Sequence, residues 1–82
     1  MWKKIEETNG TSYLIKEFEF KNFIDAFAFM NKVSFLAEKH NHHPNWSNVY
    51  NKVTIKLNTH SKGNIVTEKD EALANEINKL LV

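Results

Sequence analysis

Two strand-like runs, residues 2–8 and 11–20, flank Asn9-Gly10. That dipeptide takes the positive φ angles of a tight hairpin without strain, so it ties the start of the chain into two antiparallel strands. In the second run Leu14, Phe18 and Phe20 share one face, interrupted by Lys16. Such period-two spacing marks a half-buried strand. The period then changes. Asn22, with Asp25 three residues on, reads as a helix start, because a short polar side chain can accept one of the orphan N–H groups of a first helical turn. The helix is expected to run to about His40. Its apolar stripe is Phe23, Phe27, Met30 and Val33, extended by Leu36 and Ala37, with Phe29 and Phe35 off the stripe, as peripheral core or as contacts with another subunit.

The second half repeats the scheme without repeating the sequence. Residues 46–50 and 53–58 form a second hairpin around Asn51-Lys52. A two-residue turn there sets Tyr50 opposite Val53, Asn48 opposite Ile55 and Trp46 opposite Leu57, all on one face. Ser61-Lys62-Gly63-Asn64 reads as a loop. Thr67 with Asp70 resembles a capping box, and Leu73, Ile77, Leu80 and Leu81 then fall at helical spacing. The expected architecture is α+β and two-layered: a four-stranded antiparallel sheet with two helices on one face, in the order β-β-α-β-β-α. With 82 residues and no linker or low-complexity stretch, residues 1–82 are read as a single domain.

Composition removes several functions. There is no cysteine, so disulfides and thiolate metal sites are out of reach. All 11 basic residues are Lys, they are dispersed, and net charge is +1. Nucleic-acid readout leans on Arg and on clustered charge, so no nucleic-acid partner is expected. No apolar run approaches the ~20 residues that span a bilayer, and the first residues lack the apolar core of a signal peptide. The expectation is a soluble, cytoplasmic protein with no membrane partner.

The chemistry gathers in the four histidines. His40, His42 and His43 lie within four residues, before Pro44 and Trp46, and His60 follows at the end of the fourth strand. Imidazole titrates near neutrality and can both give and take protons. As metal ligands these residues are poorly spaced. The residue before Pro is driven extended, and adjacent side chains of an extended segment diverge, so His42 and His43 point apart and no metal is expected. As acids and bases they need only converge on a pocket from the ends of packed elements, where functional loops are commonly carried.

The run Ala37-Glu38-Lys39-His40-Asn41-His42-His43-Pro44-Asn45-Trp46, with the later Thr59-His60, resembles the pterin-4a-carbinolamine dehydratase family. So do Phe18-Glu19-Phe20-Lys21-Asn22-Phe23 upstream and Thr67-Glu68-Lys69-Asp70 downstream. The resemblance implies the fold just described. It also implies a 4a-hydroxytetrahydrobiopterin dehydratase, a carbon–oxygen lyase that converts 4a-hydroxytetrahydropterin to quinonoid dihydropterin and water during tetrahydropterin recycling. His42, His43 and His60 match the family's catalytic histidines. Asn41, Trp46, Asn58, Thr59, Ser61 and Asp70 are carried over as substrate-binding positions, Asp70 with a second reading as a helix cap. Asn41 is neutral where members often have Asp, so it offers His42 no neighbouring carboxylate. The reaction changes no oxidation state, so no cofactor is expected. The resemblance further implies a homodimer or homotetramer. The alternative from another class is a non-catalytic protein-interaction or assembly module on the same scaffold, since some animal members also bind a transcription factor's dimerisation region.

Overall fold

The computed structural model describes residues 1–81. Strands β1 (Lys3–Glu6) and β2 (Ser12–Glu19) precede helix α1 (Phe23–His40), and strands β3 (Asn45–Val49) and β4 (Lys52–Leu57) precede helix α2 (Glu68–Lys79). A 3₁₀ turn, His60–Lys62, lies between β4 and α2. The sheet is antiparallel in the order β1-β2-β4-β3, so the two hairpins meet along β2 and β4 at its centre. This is the expected α+β arrangement.

One continuous core lies between sheet and helices. Leu14 and Phe18 of β2, Val53, Ile55 and Leu57 of β4, Ala26, Phe29 and Val33 of α1, and Leu73, Ala74 and Ile77 of α2 are its buried members. Both helices therefore cover the same face. Ile55, Leu57, Leu73 and Ile77 are fully enclosed, each contributing roughly 1.5–3 kcal/mol of apolar burial. Phe29 anchors the aromatic part, its ring 4.8 Å from Phe18 and 4.9 Å from Phe20.

Three sequence expectations need correction. The buried stripe of α1 is Ala26, Phe29, Val33 and Ala37, so of the two roles open to Phe29 the structure gives it the core, at the centre of the stripe rather than at its periphery. Phe23 and Phe27 are half exposed. Hydropathy alone cannot separate the two solutions, since either stripe offers apolar residues at helical spacing. In the second hairpin Val49 pairs with Lys52, Asn48 with Val53 and Trp46 with Ile55. The turn is Tyr50-Asn51, two positions from the register expected. Tyr50 takes a left-handed φ of 52°, and the Asn48 amide donates to the carbonyls of Tyr50 and Lys52. Because the shift is an even number, Trp46 and Asn48 keep the expected face and only Tyr50 leaves it for the turn. In the first hairpin the paired strands stop at Glu6 and Ser12, leaving a longer loop in which Gly10 has φ 91°. The chain ends on Leu80-Leu81-Val82, apolar where a terminus is normally polar, which on sequence grounds offers a surface for self-association; Val82 lies outside the described residues, while Leu80 packs against the core and Leu81 is half exposed.

Candidate active site

Three chain segments converge at one end of the sheet. The first is the exit from α1. The helix stops because Asn41 turns left-handed, with φ 48° and ψ 45°, a conformation Asn tolerates better than most residues. Its backbone N–H bonds back to Ala37 and Glu38, and the N–H of His42 also reaches Ala37. This reversal sends His42 and His43 back across the end of the core. The second segment follows β4, where Asn58 leads into Thr59-His60. A bridge between Thr59 and Ile65 closes the loop, and Gly63 takes the φ of 88° that the reversal requires. The third segment is the start of α2.

Between them lies a cavity of about 400 Å³ lined by His42, His43 and His60 together with Asn41, Asn58, Thr59, Ser61 and Lys69. That volume is within the range of ordinary small-molecule sites. The three imidazoles differ in setting. His42 is buried, with Nε2 2.5 Å from Asp70 Oδ1. His43 is largely exposed, with Nε2 2.6 Å from Glu38 Oε2. His60 is exposed, with Nδ1 3.0 Å from Asn64 Oδ1. Among the described residues each ring thus has one nitrogen held by the protein and one without a partner. An imidazole so arranged can accept or donate a proton toward a ligand at its second nitrogen.

Behind the cavity, Asp70 is completely enclosed. Its Oδ2 accepts the Thr59 hydroxyl and the Thr67 N–H, both at 2.8 Å. Asp70 is therefore both the capping-box residue of α2 and the partner of His42. The carboxylate that Asn41 does not supply comes from another element. Among the described residues, no buried side-chain nitrogen or oxygen lacks a hydrogen-bond partner.

Seven of the nine sequence-derived positions border the cavity. Trp46 does not; its indole packs against the core on the helix-covered face. Asp70 lies behind His42 and does not reach the cavity wall. Lys69 borders the cavity and escaped the sequence reading, because one Lys among eleven on a dispersed background carries no signal. Among the described residues, no three His, Cys, Asp or Glu side chains are grouped to hold a metal ion, and no helix is long and apolar enough to cross a membrane.

A family model described as Pterin 4 alpha carbinolamine dehydratase matches residues 1–80. A Prochlorococcus marinus protein named as a candidate pterin-4-alpha-carbinolamine dehydratase is 65% identical over 65 residues, covering 79% of this chain and 67% of that protein. One of the same name from Mesorhizobium japonicum is 52% identical over 71 residues, covering 87% of this chain and 70% of its own. Among solved structures, a transcriptional coactivator/pterin dehydratase from Brucella melitensis matches with a TM-score of 0.84 and 42% identity, over 95% of this chain and 79% of that one. A pterin dehydratase-like protein identified as a RuBisCO assembly factor in the alpha-carboxysome matches with a TM-score of 0.78 and 25% identity, over 96% of this chain and 87% of its own.

Proposed function

We propose that this chain, which belongs to the pterin-4-alpha-carbinolamine dehydratase family, removes water from a 4a-hydroxytetrahydropterin by histidine acid–base catalysis. The observation that carries the reading is the convergence of three imidazoles from two separate segments on one cavity of small-molecule size.

The reaction breaks the C4a–O bond and forms a C4a–N5 double bond. One proton goes to the departing hydroxyl, which leaves as water, and one is taken from N5. Proton count and oxidation state both balance, so the site needs an acid and a base and no electron carrier. General acid–base groups at the right distance are worth ~10²–10⁴-fold. His42 and His60 enter the cavity from α1 and from β4, which suits them to serve the two ends of the reacting C4a–N5 unit. His43, tied to Glu38 at the rim, is assigned to holding the ring. Asn41, Asn58, Ser61 and Lys69 offer the amide, hydroxyl and ammonium groups that a heterocycle rich in nitrogen and oxygen can bond. Thr59 and Asp70 act from behind His42, and Trp46 serves the core.

The test is a stopped assay on chemically generated 4a-hydroxytetrahydropterin. The protein should speed dehydration, and a His42→Ala, His60→Ala double variant should lose at least ~10-fold. Equal turnover by both proteins would overturn the acid–base assignment. Turnover should also survive prolonged chelation; a stoichiometric zinc lost together with activity would contradict a metal-free site.

A second reading, as an assembly or interaction module, draws support from a different place. Ile24 and Phe35 are each 76% exposed on α1, and the solved relatives include proteins described as a coactivator and as an assembly factor. The two readings differ in what they require of the cavity. An interaction module keeps its partner when His42 and His60 are replaced, whereas a dehydratase loses turnover.

A further inference from the structure

Thr59 immediately precedes His60 and borders the cavity, yet its hydroxyl is committed elsewhere. Thr59 is 3% exposed. Its Oγ1 donates to Asp70 Oδ2 at 2.8 Å and lies 2.6 Å from Thr67 Oγ1. Since the Thr59 proton points to the carboxylate, the Thr67 hydroxyl must be the donor in that second contact. A one-way chain results, Thr67 to Thr59 to Asp70, and it ends at His42.

The consequence lies in how Asp70 is held. Oδ2 accepts two donors, the Thr59 hydroxyl and the Thr67 N–H. Turning the carboxylate would break both at once. Oδ1 is therefore fixed toward His42 Nε2. An ionised carboxylate only accepts, so a carboxylate locked this way requires the proton on Nε2. Among the described residues Nδ1 of His42 has no partner, and no buried side-chain nitrogen there lacks one. Nδ1 must then lie at the accessible surface, which for this residue is the cavity.

We propose that Thr59 is a positioning residue: acting through Asp70, its hydroxyl keeps the proton of His42 on Nε2 and leaves Nδ1 as the nitrogen that meets the substrate. The proposal rests on the dehydratase reading for its catalytic consequence, but not for its structural one. Thr59 exchanges no proton with substrate; it holds the tautomer and the orientation of the group that does.

Thr59→Val keeps the shape of the side chain and removes the hydroxyl, while Thr59→Ser keeps the hydroxyl. In the dehydration assay, Thr59→Val should lower kcat about 10-fold with KM nearly unchanged, because misorientation of a catalytic group acts on the chemical step. Thr59→Ser should recover most of that loss, which a purely steric role would not allow. Nitrogen-15 imidazole NMR supplies a readout independent of turnover and, in the wild-type protein, of any variant's folding. In the wild-type protein His42 should carry its proton on Nε2, and in Thr59→Val that signal should broaden or divide between the two nitrogens. A wild-type proton on Nδ1 would overturn the proposal. So would a Thr59→Val protein with unchanged kcat and a single Nε2–H signal. If the wild-type protein shows the expected tautomer but dehydrates nothing, the dehydratase reading fails while the assignment of the hydrogen-bond chain stands.

Discussion

His42 and His60 border the same cavity but are bound into the molecule to different degrees, and their removal should separate activity from stability. His42 is nine-tenths buried and is the partner of a carboxylate with no exposure at all. His42→Ala removes the partner of Asp70 Oδ1, and an unsatisfied buried acceptor costs about 1–3 kcal/mol, more for a charged one. For a domain of this size each 1 kcal/mol lowers Tm by roughly 4–8 °C. His60 sits in the exposed 3₁₀ turn with a single surface bond to Asn64. His60→Ala should therefore stay within about 0.5 kcal/mol of wild type. Both variants should lose ~10-fold or more in turnover, and thermal denaturation should show a fall in Tm for His42→Ala alone. A loop imidazole that contributes little to the core describes His60 well; it does not describe His42. Glu38 and His43 give the contrasting case. Their side chains are 78% and 57% exposed, and an ion pair so hydrated adds little to stability, so Glu38→Gln should leave Tm unchanged.

The elements owe their ends to a few polar side chains. Asn22 caps α1 by accepting the Asp25 N–H at 2.8 Å, and Thr67 with Asp70 closes a capping box on α2. Asn22→Ala should destabilise the protein by about 1 kcal/mol, read as a shift in a urea unfolding midpoint at constant slope. If the midpoint is unchanged, the cap adds nothing to helix α1. These caps were legible in the sequence because they are local: the two bonded residues, Asn22 and Asp25 or Thr67 and Asp70, lie three positions apart. So were the order of elements and the histidine convergence, since a hairpin signal, a change of period and a resemblance each announce themselves within a short window. What escaped depends on distance or on degeneracy. The bond from His42 to Asp70 spans 28 residues, and the cap reading of Asp70, itself correct, gave no reason to seek a second partner. The β3–β4 register was degenerate because a shift of two positions leaves every side chain except Tyr50 on its face, and the turn hid behind Tyr50, whose left-handed backbone is unusual for a bulky side chain. The α1 stripe was degenerate because the helix has more aromatic residues than the core can take.

That surplus is a property of the whole molecule. Phe23, Ile24, Phe27 and Phe35 are between 48% and 76% exposed. With 3.6 residues per turn they fall within about one third of the circumference of α1, turned away from Ala26, Phe29, Val33 and Ala37. The rings of Phe23 and Phe27 already stand 5.9 Å apart, so the patch is continuous there. Exposed apolar side chains gathered on one side of a helix, here interrupted by Asn31 and Ser34 before Phe35, are a recognised mark of an interaction surface. The sheet adds a second opportunity, since β1 and β3 are its edges and unpaired strand edges readily accept another strand. An 82-residue chain buries a modest share of its surface, which makes covering either surface favourable. We therefore expect homodimers formed at strand edges and, through the aromatic face of α1, dimers of dimers. Phe27→Lys with Phe35→Lys tests the helix contact cleanly, because neither side chain belongs to the buried core. At micromolar concentration the wild-type protein should sediment well above its 9.6 kDa monomer mass. The double variant should sediment as a smaller species with an unchanged circular dichroism spectrum. A wild-type protein that sediments as a 9.6 kDa monomer would rule out both contacts. Equal sedimentation of wild type and variant above that mass would leave the strand edges as the site of association and exclude the α1 face.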